Sequence, residues 1–361
     1  MSHATISEAS ANELVARLVD STLATMDVLA IYLGDQLGLY RALAEGPATA
    51  AELARRAGID ARYAREWVEQ QSLSGILRAT PERDGEHRFS LPDGYREVLV
   101  DTGSLNHMAP MARFLVASLG HGRELVEAFR TGGGVSWDDL GDDAREAQAA
   151  LNRPMFEQLL ATEYLPSVPE VHERLTAPGA RVADIGCGYG WSSVAIARGY
   201  PEVRVDGFDV DEPSIRRARR IAEERGLSDR VRFACIDANS VGGGGAYDVV
   251  TAFECLHDMP DPGRMLRTMR RLVSPYGSVL IADERVADRF DPENNDPVER
   301  LMYGFSIGCC LPSARVNGSD VATGTVLRRP ALQTLAEEAG FRTVEVLDID
   351  HEMLRFYRLA A

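Results

Sequence analysis

The chain has 361 residues, 45% apolar and 26% charged, which suits a globular protein of two domains. Its formal net charge of −16 argues against a nucleic-acid or anionic-membrane partner, because both need a clustered basic face. All 39 basic residues are Arg, so Schiff-base catalysis by a lysine is excluded.

Five cysteines, Cys187, Cys235, Cys255, Cys309 and Cys310, form no Cys-x-x-Cys pair. An odd number without that spacing reads as a reduced, cytoplasmic protein with no metal site. No run of 18 apolar residues and no basic start followed by an apolar stretch occurs, so neither a membrane span nor a signal peptide is expected.

Residues 1 to 10 are small and polar and are expected to fray. From Asn12 to Gly34, Leu14, Leu18, Val19, Leu23, Met26, Leu29 and Leu33 have helical spacing and give a wide apolar face. A short helix over 37–43 follows, broken at Gly46-Pro47. Thr49 and Glu52 have capping-box spacing and Gly58 closes that helix; Asp60 caps the next, over 61–72. Residues 75–78 and 87–91 read as short strands around a polar turn, Pro81 to Glu86. Helix, turn, helix and hairpin make a winged-helix pattern. Residues 1–100 hold 10 Arg against 15 Asp and Glu, which disfavours DNA as its ligand. Residues 103–163 are helical in pattern, interrupted at Thr131 to Gly134. Their Met and aromatic side chains suit either a plain core or an irregular pocket wall. Pro166 and Pro169 mark a linker.

Arg181 to Ala197 reads as strand, glycine turn and helix: Val182 to Ile185, then Gly186, Gly188 and Gly190, then apolar spacing at Val194, Ile196 and Ala197. Such a turn lets backbone approach a ligand. A second strand ends in Asp209, where doubly wound folds hold ribose hydroxyls. A helix over 213–225 leads to a third strand, Val231 to Asp237, and a fourth spans Tyr247 to Glu254. A helix over 262–272, a turn at 274–277 and a fifth strand over 278–282 come next. A helix over 296–311, another over 330–339 and two strands, 341–349 and 352–359, complete the chain.

Asp184-x-Gly186-x-Gly188-x-Gly190, Asp209, Asp237-Ala238 and Phe253-Glu254 resemble the successive motifs of class I S-adenosylmethionine (SAM)-dependent methyltransferases, over roughly residues 168–358. The resemblance implies an α/β fold: a doubly wound, Rossmann-like domain over 168–361, behind a winged-helix-like dimerisation domain over 1–100 and a helical linker or substrate cap over 101–167. It also implies SAM as cofactor. The loop Gly186, Cys187, Gly188 and Gly190 would pass the methionine part, with Asp184 near its amino group. Asp209, followed by Val210, would hold the ribose. Asp237 and Ala238 would meet the adenine, and Phe253 and Glu254 would line the pocket. The first 100 residues are similar in pattern to the N-terminal domain through which small-molecule O-methyltransferases form homodimers.

Methyl transfer to a neutral hydroxyl needs alignment and removal of a proton. Leu256-His257-Asp258 resembles the Leu-His-Asp-Trp motif of plant and bacterial O-methyltransferases, in which this His is the general base. Met259 stands in place of the Trp. Asp283 or Glu284 could steer His257, but no second acid lies between Val321 and Pro330. The expected activity is therefore SAM-dependent methylation of a small molecule, at oxygen. Methylation at nitrogen or sulfur, non-methylating chemistry on the same fold, and a SAM-sensing regulator are the alternatives. His257 as a mere pocket wall is another.

Overall fold

The computed structural model describes residues 10–82 and 85–360. The fraying expected for residues 1 to 10 otherwise falls outside these, but Ser10 is ordered. Its hydroxyl accepts from Glu13 N–H at 3.2 Å and the Glu13 carboxylate accepts from Ser10 N–H, a capping box. Arg83 and Asp84, in the polar turn, also lie outside the described residues. The chain divides into two compact units, with the boundary between Val116 and Ala117.

The first unit holds α1 (Ala11–Gln36), α2 (Leu39–Ala44), α3 (Ala50–Ala57) and α4 (Ala61–Leu73). A hairpin of β1 (Arg78–Pro81) and β2 (His87–Ser90), α5 (Asp93–Leu99) and most of α6 (Ala109–Leu119) complete it. The Thr49–Glu52 box starts α3 and Gly58, with φ of 68°, ends it. Its core gathers Leu39, Leu43, Leu53, Val68 and Phe89 around Tyr40 and Trp67, whose rings meet edge to face at 5.2 Å. Helix α1 touches this core through Ala30, whose carbonyl accepts from Trp67 Nε1 at 2.8 Å, and Gly34. A Cβ on Gly34 would lie 2.5 Å from the Tyr40 ring. The rest of the apolar stripe of α1 is open: Leu14, Val15, Leu18, Val19, Leu23, Met26, Leu29 and Leu33 are 40–60% exposed.

The second unit is built on seven strands: β3 (Arg181–Ile185), β4 (Arg204–Asp209), β5 (Val231–Cys235), β6 (Tyr247–Phe253), β7 (Val273–Glu284), β8 (Thr343–Val346) and β9 (Leu354–Ala360). Their order is β5-β4-β3-β6-β7-β9-β8, with β3 to β7 parallel and β9 antiparallel to both neighbours. The helices are α7 (Gly122–Thr131), α8 (Trp137–Met155), α9 (Pro169–Thr176), α10 (Trp191–Gly199), α11 (Glu212–Glu224), α12 (Pro262–Leu272), α13 (Pro297–Phe305), α14 (Leu311–Ala314) and α15 (Arg329–Glu338). Alternate strand residues serve the two covered faces. Val182, Val205 and Val249 pack with Val194 and Ile215, while Ile185, Val250 and Ile281 pack with Leu266, Met269 and Leu332.

Strand β7 is longer than the spacing predicts. The stretch read as a turn, 274–277, runs inside it as an irregularity opposite Tyr247 and Val249, and Gly277 passes so close that a Cβ would sit 2.5 Å from the Asp248 carbonyl. Two helical stretches adopt π-type hydrogen bonding, Phe156–Tyr164 and Ser306–Cys310. Strand order reverses at β3, between β4 and β6, so the crevice beyond the carboxyl ends of β3, β4 and β6 is the expected ligand site.

Candidate active site

The turn after β3 needs its three glycines for different reasons. Gly186, Gly188 and Gly190 have φ of 63°, 50° and 77°. A Cβ on Gly186 would lie 2.7 Å from the Cys255 side chain, and one on Gly190 2.3 Å from the Phe233 ring. One on Gly188 would meet nothing within 4 Å. The outer glycines therefore seat the loop, and the middle one presents bare backbone to open space. Cys187 is buried; burial, with Asp209 and Asp184 nearby, pushes its thiol well up, so it packs rather than reacts.

Asp184 is 1% exposed and is taken up by the protein itself. Its Oδ2 accepts from the Ser192 and Ser193 hydroxyls, each at 2.6 Å, and its Oδ1 from Thr251 at 2.7 Å. It braces the loop against the first turn of α10 and against β6. Asp209, at the end of β4, accepts from Gly188 N–H at 2.8 Å and from Asp211 N–H at 2.9 Å. Burial raises its carboxyl above the usual range against those two bonds. Val210 beside it is exposed. Asp237 is exposed and accepts from Asn239 N–H at 2.9 Å, opening a short turn that buries Ala238. The side chain of Phe253 is buried, with its ring 5.7 Å from that of Phe156. Glu254 takes the left-handed backbone conformation, φ 52°, and is the sole non-glycine to do so among the described residues. Its Oε2 accepts from Gln148 at 2.9 Å and Asn152 at 2.5 Å, both on α8.

His257 follows β6 on a short 3-10 turn and is 2% exposed. Its Nδ1 lies 2.7 Å from Asp283 Oδ1 and 3.0 Å from Glu284 Oε2, at the end of β7. Its Nε2 is 3.4 Å from Asp258 Oδ1. Asp283 takes the hydrogen bond, and Glu284 Oε2, close by, has no hydrogen-bond partner. Burial disfavours the imidazolium, yet Glu284, Asp283 and Asp258 outweigh it and hold the His257 pKa well above 6.5. Burial pushes Glu284 well above the carboxylate range, with Asp283 adding to the rise against the pull of His257; Asp258 is also raised by burial. Both acids at the end of β7 thus lie beside His257, Asp283 hydrogen-bonded to it and Glu284 within 3.0 Å. Two groupings have ligand types and spacing for a cation, His257 with Asp258 and Cys310, and His257 with Asp283 and Glu284, each within 4.8 Å. The first needs a thiolate from Cys310, whose thiol is pushed well up, foremost by its bond to Cys309.

Four contributors escaped the sequence reading: Arg145, Gln148 and Asn152 on α8, and Asp211, the cap of α11. Arg145 binds Asp211 through two bonds of 2.8 Å. The only signal was their common spacing, 145, 148 and 152, on one face of a helix. Arg153, Arg315 and Arg328 are engaged within the protein, with Glu157, Asp320 and Glu299 respectively.

Residues 176–316 match the family model described as a methyltransferase domain, and residues 24–100 match the Rv2258c-like winged HTH domain. Methyltransferase GfsG of Streptomyces halstedii is 30% identical over 185 residues, which is 51% of this chain and 60% of that protein. The chain thus spans less than two thirds of that relative. Among solved structures, the mitomycin 7-O-methyltransferase MmcR aligns with a TM-score of 0.71 at 21% identity, covering 97% of this chain and 98% of that one. Human N-acetylserotonin methyltransferase, solved with SAM, aligns at 0.65 and 20%, covering 98% and 99%. At these identities the likeness is one of fold. Residues 176–316 are therefore a methyltransferase domain with the fold of the class I SAM-dependent enzymes, carried behind a winged helix-turn-helix domain.

Proposed function

We propose that the second unit binds SAM and transfers its methyl group to a hydroxyl oxygen of a small molecule, with His257 as general base. The observation that carries this is the imidazole held by Asp283 through Nδ1 at the carboxyl end of β6. A donated Nδ1–H leaves the Nε2 lone pair to accept a proton. Once Nε2 carries it, the unpartnered Asp258 Oδ1 at 3.4 Å stands beside the new charge. The chemistry of the cofactor's site also fits. Gly188 offers open backbone, Asp209 an acceptor carboxylate, and Asp237 an exposed acceptor. SAM supplies, when bound, a methyl group already activated on a sulfonium. Asp184 acts from behind, holding the loop in place.

Incubating the purified chain with SAM and a small-molecule extract, and following products by mass spectrometry, tests the reading. A methylated product that His257→Ala fails to make is expected. The atom that carries the methyl separates oxygen from nitrogen and sulfur acceptors. Absence of any methylated product and of SAM binding would overturn the proposal.

The first unit is read as the dimer-forming part, in a cytoplasmic enzyme. The exposed apolar stripe of α1 supports this, since a patch of that length needs a cover. On α4, Arg62 is paired with Glu66, which leaves less positive charge for a nucleic acid. A dimer in sedimentation, lost on deleting residues 12–44, is expected; a monomeric full-length chain would refute it.

A further inference from the structure

Helix α8 is fastened to the ends of two strands. Toward its C-terminal end, Gln148 and Asn152 hold Glu254, just past β6. Toward its start, Arg145 holds Asp211, just past β4, with Nε to Oδ2 and Nη2 to Oδ1 both at 2.8 Å. The helical backbone of α8 is broken at Gly141, φ 74° and ψ −165°. Arg145 spans that break, binding Asp138 before it at 2.5 Å and Asp142 after it at 3.1 Å. The Arg145 side chain is 3% exposed, while those of Asp138 and Asp142 are 83% and 84% exposed. The buried partner, Asp211, therefore matters most, since exposed pairs contribute little.

Asp211 leads directly to the ligand crevice. Its N–H donates to Asp209 Oδ1 at 2.9 Å, and its own Oδ2 accepts from Ser214 N–H at 3.0 Å, capping α11. The conformation of the Asp209–Asp211 segment, and with it the direction of the Asp209 carboxylate, is thus fixed by a guanidinium on α8.

We infer that Arg145 is a positioning residue for SAM: a latch that joins both pieces of α8 to the Asp209–Asp211 segment and holds the Asp209 carboxylate in its binding orientation. The inference rests on the SAM reading above. Without the guanidinium, Asp211 is left as a buried carboxylate short of its main partner and must turn toward water. The Asp211 N–H then leaves Asp209, and α8 is released at Gly141 while Gln148 and Asn152 still hold its other end.

Calorimetry of the full-length protein with SAM and with S-adenosylhomocysteine tests this, using Arg145→Met, Arg145→Lys, Asp211→Asn and the double variant. Arg145→Met should raise the Kd of both ligands about tenfold, with a faster release rate in stopped flow. Arg145→Lys should recover part of the loss, because an ammonium cannot grip both carboxylate oxygens. The double variant should be no weaker than the weaker single variant, the mark of a shared interaction. The KM for SAM should rise and that for the acceptor should not. A folded Arg145→Met protein with a Kd within twofold of the parent would overturn the latch, as would losses that simply multiply in the double variant. If Arg145→Met does not fold, Asp211→Asn decides alone, an unchanged Kd again overturning the latch. A parent chain that binds no SAM would instead sink the functional reading on which the latch depends.

Discussion

His257 and Arg145 are both basic side chains buried beside carboxylates in the same unit, and their surroundings are satisfied to different degrees. Arg145 meets Asp138, Asp142 and both oxygens of Asp211. Burial works against the Asp211 charge, but Arg145 outweighs it and holds that carboxyl below the ordinary range. Around His257, Asp258 Oδ1, Asp283 Oδ2 and Glu284 Oε2 are buried without hydrogen-bond partners. Two of these carboxyls, on Asp258 and Glu284, are driven up, and the imidazole is driven toward its charged form. The finished cluster fixes geometry. The unfinished one leaves acceptor oxygens unpaired beside an imidazole, as the acid–base role proposed for His257 needs.

The contrast can be broken most sharply at His257. His257→Ala should lower kcat on a neutral hydroxyl acceptor by about 10²–10⁴-fold while SAM affinity, read by calorimetry, stays close to that of the parent. A near-normal kcat would reduce His257 to a wall of the pocket. An acceptor already ionised at the working pH should lose far less, since no proton remains to be removed.

Asp184 tests the opposite case, a carboxylate whose partners are all inside. Asp184→Ala leaves three buried hydroxyls without their acceptor and should cost about 3 kcal/mol of folding stability, roughly a hundredfold in the unfolding equilibrium. Denaturant titration reads it; a loss of SAM affinity at unchanged stability would show that Asp184 faces the ligand after all. Asp209→Ala, by contrast, should weaken SAM binding by about tenfold, with the cost appearing in Kd.

The smallest effects concern pH and metals. If His257 is the base it must be neutral to act, and its pKa is raised, so kcat/KM should fall as pH drops through a midpoint above the ordinary histidine value of 6.5. Asp283→Asn removes one of the carboxylates that raise it, so the midpoint should move down. A profile that stays in place would remove Asp283 from the set that tunes His257. Dialysis against a chelator should leave the rate unchanged; a loss restored by one added divalent cation would turn one of the two groupings around His257 into a metal site.

The backbone plan of the molecule was legible because period-two and helical spacing, capping boxes and acidic strand ends are local signals. What escaped was long-range. Arg145 meets a partner 66 residues away, and Asn152 and Gln148 meet one 102 and 106 residues away. On the sequence, these three look like the solvated face of α8. The shortened fifth strand has a similar origin: Ser274-Pro275-Tyr276-Gly277 carries every mark of a turn, and β7 includes it because Val273 and Ser278 on either side pair with Tyr247 and Val249 of β6. Asp184 and Phe253 sit in motif positions, but their partners, hydroxyls from α10 and β6 for the one and the Phe156 ring for the other, are set by tertiary packing that no local spacing shows.

The open stripe of α1 ties the thermodynamics of the first unit to how much protein is in the tube. If a second copy covers those eight apolar side chains, association is coupled to folding, and by mass action the melting temperature climbs with concentration. Scanning calorimetry over a dilution series would then yield a family of curves in place of one, and a single melting temperature for this protein has meaning only beside the concentration at which it was measured.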